Sequence, residues 1–194
     1  MSSTTPIDIV PGLTLTGDLY ETAADGIARF APELGPLTHE RFTTPTCWWL
    51  IPDQSGECYK AELELRVDRK LNVWFLPDQR SDADRPHSHP WPFRAHVLAG
   101  GYTEDRYEPT SLTAVREQLG VQHQAGDTNN LAKTTYHKVT DIHAPGRTLS
   151  LMLIDGVGTR GDWGYWNLLA GVHERVTPDP DFSRKLRALN PHQH

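Results

Sequence analysis

The chain has 194 residues, long enough to bury roughly 70% of its extended-chain surface, so it needs neither disulfide nor metal merely to fold. Its 37% hydrophobic and 23% charged residues are a globular composition, neither disordered nor fibrous. Lys and Arg number 19 against 25 Asp and Glu, a net charge of −6 that disfavours nucleic acid or an anionic membrane as the main partner, since both select a basic surface.

The 15 Gly and 15 Pro are spread along the chain and cut it into short segments, which favours strands over long helices. Met1–Pro6 holds no basic segment followed by an apolar one, and no apolar run approaches the ~20 residues that span a bilayer, so a cytoplasmic protein is expected. Residues 1–18 read as an extended arm. A helix capped by Asp18 is predicted to run to Phe30, weakened by Gly26. Cys47–Ile51 is a short apolar strand. With only Cys47 and Cys58 present, two reduced thiols or one bridge both fit the count, and reduced thiols suit a cytoplasmic chain.

In Tyr59–Val67, Ala61, Leu63, Leu65 and Val67 alternate with charged residues, predicting a strand with one buried and one wet face. The turn Val67–Lys70 makes a hairpin of it with Leu71–Leu76. Arg94–Tyr102 and Arg147–Ile154 are further strands, and Thr110–Gly120 reads as a short insert helix or an irregular connection. From Thr177 the tail is polar, with a brief helix around Phe182–Leu189 and a frayed end holding His192 and His194. Many short strands and few helices indicate an antiparallel sandwich or barrel, an all-β fold.

The most informative stretch is Arg85-Pro86-His87-Ser88-His89-Pro90-Trp91-Pro92-Phe93-Arg94. On an extended segment His87 and His89 point to the same side, and two imidazoles there suit Fe, Ni, Zn or Cu. Such pairs also arise by chance. A second segment, Gly126 to His137, places another histidine after a Gly-Asp turn.

Together these stretches resemble the two motifs of the cupin superfamily. The first, G-x5-H-x-H-x3,4-E-x6-G, is matched by His87, His89 and the closing Gly101. Its opening glycine is absent, with Ser81 or Asp82 near that place. The second, G-x5-P-x-G-x2-H-x3-N, is matched by Gly126 and His137, while Ala132, Thr134 and Asp141 replace its proline, second glycine and asparagine. The resemblance implies a single domain over residues 1–194. It would be a small jelly-roll barrel (46–170) with short peripheral helices, an N-terminal arm and helix (1–45) and a C-terminal tail (171–194). The motif's glutamate falls at Arg94 or Phe93, neither of which can ligate. The resemblance then implies a metal on His87, His89 and His137, similar to the three-histidine centre of cysteine-dioxygenase-like cupins, with Fe(II) as first choice and Ni(II) as second. Three neutral ligands leave up to three coordination positions for substrate and O2.

Around that centre, Arg94 by motif parity faces the interior, where it would hold a carboxylate bidentately, or else it pairs at the rim. His96 is either a fourth ligand or a packed strand histidine. Tyr136, next to His137, faces the other way unless a bulge turns it inward. Trp91, Phe93, Trp163 and Trp166 either wall a ligand cavity or pack the mouth. Arg147 and Arg160 are weaker candidates for anion binding, and His39, His123, His143 and His173 read as surface or loop residues. There is no phosphate loop, nucleophile elbow or C-x-x-C pair.

Three functions fit. The first is a metal-dependent dioxygenase acting on a small chelating substrate, such as cysteine or a related amino thiol, with O2. The second is a metal-assisted isomerase, epimerase or lyase. The third is a small-ligand-binding cupin without turnover. The resemblance also implies pairing through exposed strands into a homodimer.

Overall fold

Alternation at period two decides the architecture. A computed structural model describes residues 5–78, 85–111, 114–156, 162–176 and 179–193. An N-terminal hairpin, β1 (Pro6–Val10) and β2 (Leu13–Thr16), leads into helix α1 (Gly17–Phe30) and the short helix α2 (His39–Thr43). Strands β3 (Trp48–Pro52), β4 (Cys58–Arg66) and β5 (Arg69–Trp74) form a meander. Then come β6 (Phe93–Ala99), β7 (Gly101–Pro109), β8 (Val115–Gln124), β9 (Thr128–Leu131), β10 (Tyr136–Ile142) and β11 (Thr148–Ile154). A second hairpin, β12 (Gly164–Asn167) and β13 (Val172–Arg175), and helix α3 (Phe182–Leu189) close the chain.

Every pairing between named strands is antiparallel. One sheet has the order β3-β4-β5-β11-β6-β9, and the other β10-β7-β8. The chain is an all-β barrel of the jelly-roll kind, with two sheets and short helices outside them. Among the described residues no helix is long and apolar enough to cross a membrane.

The main hydrophobic core is not between the sheets. Leu63, Leu71, Val73, Leu149 and Leu151 are fully buried on the outer face of the six-stranded sheet. There they join Leu19, Ala23 and Ile27 of α1 and Leu13 and Leu15 of the N-terminal hairpin in one cluster. The charged partners of that alternation are the surprise. Lys60, Glu62, Lys70 and Asn72 face the space between the sheets, and Lys60 and Asn72 are only 7% and 1% exposed. The face expected to be wet is the inside of the barrel, because helix and hairpin claim the aliphatic side.

Other expectations change for identifiable reasons. Helix α1 has Thr16, not Asp18, at its N-cap, and Asp18 in the first turn pairs with Arg147. A carboxylate there also favours the helix dipole. Gly26 is a contact point: a Cβ would come within 2.4 Å of a Leu98 methyl, so its absence lets the helix sit down on β6. Thr110–Gly120 holds no helix among its described residues. Its second half is β8, held against β7 from Val115 to Gln124, so pairing overrides the weak local helical pattern. Cys47 and Cys58 are free thiols, and burial pushes Cys58 up to about 11, which suits packing rather than reactivity.

The C-terminal segment is tied down rather than frayed. Asn190 is fully buried; its Oδ1 accepts from the Leu50 N–H at 2.7 Å and its Nδ2 donates to the Leu50 carbonyl at 2.8 Å. His192 lies 3.0 Å from the Trp48 carbonyl, while His194 lies outside the described residues. One side-chain amide thus imitates a neighbouring strand at the β3 edge, which would otherwise be open to pairing. Replacing Asn190 with Ala leaves both Leu50 groups without this partner. We expect a loss of about 1–3 kcal/mol in urea unfolding and faster hydrogen exchange at the Leu50 amide. Unchanged exchange would contradict this role.

Candidate metal centre

Backbone pairing brings the first two histidines together. The His87 N–H donates to the His137 carbonyl at 2.8 Å and the His137 N–H donates back at 2.9 Å. Residues that exchange both bonds stand directly opposite, with side chains on one face. On its other side the same segment pairs with β12: Ser88 donates to the Gly164 carbonyl and Trp166 to that of Pro86, each at 2.8 Å. Pro86, Pro90 and Pro92 lack an N–H, which confines the segment to a single bridge between β10 and β12. Gly164 is required there: a Cβ would lie 2.1 Å from the Glu174 carbonyl oxygen. His89, two residues beyond His87, returns to the same side.

Ligand atoms of His87, His89 and His137 all lie within 4.8 Å of one another. His89 Nε2 and His137 Nε2 are 2.9 Å apart, close to the ~3.0 Å that two nitrogens at ~2.1 Å from one ion make at a right angle. Nitrogens on one ion stand ~3.0–3.4 Å apart at right-angle to tetrahedral geometry, so the widest pair has to draw in by about 1.4–1.8 Å as the rings turn toward the ion. The group can hold a divalent ion.

Behind His137 lies a polar network. Glu104, with no exposure, takes His137 Nδ1 at 2.7 Å on one oxygen. On the other it takes His123 Nε2 at 3.0 Å, Asn129 Nδ2 at 3.0 Å and Arg106 Nε at 2.5 Å. Burial alone would raise its pKa, but hydrogen bonds from His123 and His137, with the charge of Arg106, hold Glu104 well below the usual carboxylate range. An ionised Glu104 accepts the Nδ1 proton of His137, which leaves the Nε2 lone pair facing the cavity, as a ligand requires. A further carboxylate, Asp78, sits 3.4 Å from His87 Nε2.

His89, His137 and Asp78 line a cavity of about 230 Å³ between the sheets, walled by Trp91, Phe93 and Trp163. Across it run Lys60, Glu62, Lys70 and Asn72. Glu62 binds the Lys60 ammonium at 2.7 Å and that of Lys70 at 2.9 Å. Burial opposes its ionisation, but the two cations outweigh burial and bring Glu62 down to about 2.

Three expected neighbours of the metal are elsewhere. Strand β6 turns Phe93 and Ala95 inward, so Arg94 points out, with a side chain 46% exposed and 3.5 Å from Asp155. Of the two expectations for Arg94, the interior one is corrected, because the vacant glutamate position is not an inward one here, and the structure shows the other, pairing with an acidic residue at the rim. His96 shares that outer side, stacked on Phe30 of α1 at 3.9 Å with Nδ1 2.8 Å from Thr128 Oγ1, a packed histidine rather than a ligand. Burial, with Arg94 and Arg29 nearby, lowers its basicity. Tyr136 faces away from the cavity, packed with Tyr107 and Trp166 and with its hydroxyl 2.7 Å from His173 Nδ1. Trp166 therefore packs outside the cavity. His123 is not a surface residue but a buried partner of Glu104. Arg147 is engaged by Asp18 and Thr16, and Arg160, Ser81 and Asp82 lie outside the described residues.

Sequence reasoning missed Glu104, Asp78 and the Lys60–Asn72 row. Only parity on β7, counted from Gly101, could have turned Tyr102 and Glu104 toward His137.

No family model matches the chain, and no curated protein matches its sequence. Among solved structures it is similar to the Drosophila melanogaster CENP-C cupin domain, at 9% identity and TM-score 0.30, covering 68% of this chain and 96% of that one. A cupin-like protein from Thermotoga maritima gives 15% identity and TM-score 0.28, over 73% and 81% of the two chains. An L-ribose isomerase from Acinetobacter sp., in complex with L-ribose, gives 15% and 0.36, over 88% and 90%. The case for a metal rests on the three histidines.

Two outcomes follow from the geometry. Glu104→Gln should weaken Co(II) binding about 10–100-fold, read by visible spectroscopy against a competing chelator; unchanged affinity would show that Glu104 does not support the ligand. The lowered pKa of Glu62 adds stability that is complete above about pH 4.5 and is lost as pH falls toward about 2. The stability gap between the wild-type protein and Glu62→Gln should therefore narrow over that window, and a gap independent of pH would contradict the ion-pair geometry.

Proposed function

We propose that this protein is a metal-dependent enzyme acting on a small chelating substrate, and specifically a dioxygenase, with Fe(II) as its first metal and Ni(II) as second. The observation that carries the reading is the set His87, His89 and His137, three neutral ligands with no carboxylate among them, of which His89 and His137 line a cavity of about 230 Å³. Such a centre keeps the full charge of its ion and has room for more than one further ligand. Bound there, the metal would bring substrate and O2 together and pass electrons between them.

The chain's own residues do the rest. Glu104 holds the Nδ1 proton of His137 and fixes the orientation of the ring. Trp91, Phe93 and Trp163 exclude bulk water from the cavity and limit the size of what enters. Arg94 has no part in substrate binding in this reading, since it lies outside the barrel. Cysteine or a related amino thiol is the first substrate to try.

A second reading, a metal-assisted isomerase or lyase, draws on Lys60, Glu62 and Lys70, which could exchange a proton with a substrate in the same cavity. Oxygen uptake separates the two. Fe(II)-loaded protein screened with small thiols and amino acids should consume O2 with at least one of them, and His137→Ala should lose both the metal and the uptake. A metal bound at full stoichiometry, with no O2 consumed but substrate isomerised or cleaved, would overturn the dioxygenase in favour of the second reading.

A further inference from the structure

The cavity wall across from the histidines is built at odds with stability. On β4, β5 and β11 the outward residues Leu63, Leu71 and Leu151 are fully buried hydrocarbon. The inward positions of the same strands carry Glu62, Lys70, Asn72 and Ser150. Placing ions inside a barrel costs desolvation that hydrophobic residues of similar volume would avoid, so a buried ion group is poor evidence of a stabilising device.

Two members of this wall have hydrogen-bonding capacity left over. Asn72 is 1% exposed and lines the cavity, yet its Oδ1 is buried without a hydrogen-bond partner. Nearly all buried polar atoms are paired, so an orphan of this kind calls for a missing partner. Lys70 donates to Glu62 at 2.9 Å, one bond of the three its ammonium can make. Glu62 is itself held by Lys60, which fixes the place of the Lys70 head. Ser150, next to Asn72 in register, already accepts from Trp74 Nε1 at 3.1 Å.

We propose that Lys70 and Asn72 bind the carboxylate end of the substrate, so that the substrate is a small carboxylic acid with a hydroxyl or amino group beside its carboxylate. The ammonium of Lys70 takes a carboxylate oxygen. The Asn72 carbonyl accepts from the neighbouring hydroxyl or amine. Two ammonium groups then face two carboxylates, Glu62 and that of the ligand. This deepens the reading of the metal centre and rests on it only for the other end of the substrate, because the carboxylate site itself needs no metal.

The probe is L-lactate, which has a hydroxyl beside its carboxylate, compared with its neutral isostere lactamide. Binding to the full-length protein is followed by NMR titration after dialysis against EDTA. L-lactate should bind saturably and lactamide at least about tenfold more weakly. Lys70→Met and Asn72→Asp should each lose at least about tenfold in lactate affinity, with circular dichroism confirming that they fold, and Lys70→Arg should recover part of the loss. Absence of saturable lactate binding, equal binding of lactamide, or full affinity in Lys70→Met would overturn the proposal.

The metal reading fails separately. His137→Ala should lose metal yet keep its lactate affinity in EDTA, whereas Lys70→Met should keep metal at the wild-type stoichiometry. If His137→Ala retained metal while lactate was still preferred over lactamide, the metal centre would be wrong and the carboxylate site right.

Discussion

The two hydrogen bonds between the His87 and His137 backbones position everything else at the candidate site. They join a proline-flanked segment to β10 so that two imidazoles, fifty residues apart, must leave the backbone on one side. Side-chain contacts refine this arrangement without creating it. His89 follows from His87 by parity, and Glu104 turns His137 by taking its Nδ1 proton. β12 closes the far side of the same bridge, which makes the late hairpin part of the site's frame although it supplies no ligand.

A second constraint is where the hydrocarbon goes. The six-stranded sheet buries its leucines outward, beneath α1 and the N-terminal hairpin. That leaves the interior face free to carry Lys60, Glu62, Lys70 and Asn72. In a barrel whose interior supplied the main core, such residues would be expensive. Here the outer layer supplies much of the hydrophobic burial, and the inner layer is released for chemistry. The N-terminal elements are thus linked to the site through packing, without touching it.

The sequence carried much of this, but unevenly. The hairpin of β4 and β5, the terminal helix and the three histidines were readable because each depends on local pattern or on a spaced motif. Parity correctly set Tyr136 apart from His137. It failed at Arg94, whose expected direction came from a motif position and not from the alternation of β6. The charged half of Tyr59–Val67 was misread because period two separates the faces without saying which one meets water. Glu104 and Asp78 were missed for a related reason: each becomes visible only when a distant strand or loop brings it beside a histidine. Asn190, which secures the C-terminal segment, acts across 140 positions and left no local sign.

The central claim is that three imidazoles drawn from two separate segments share one ion. X-ray absorption spectroscopy of the Fe(II)-loaded protein tests it most directly, with His87→Ala as the comparison. The account predicts three imidazole nitrogens at ~2.0–2.2 Å from the iron in the wild-type protein and one fewer in the variant. A wild-type spectrum fitted by fewer than three imidazoles, or one unchanged by the substitution, would contradict it.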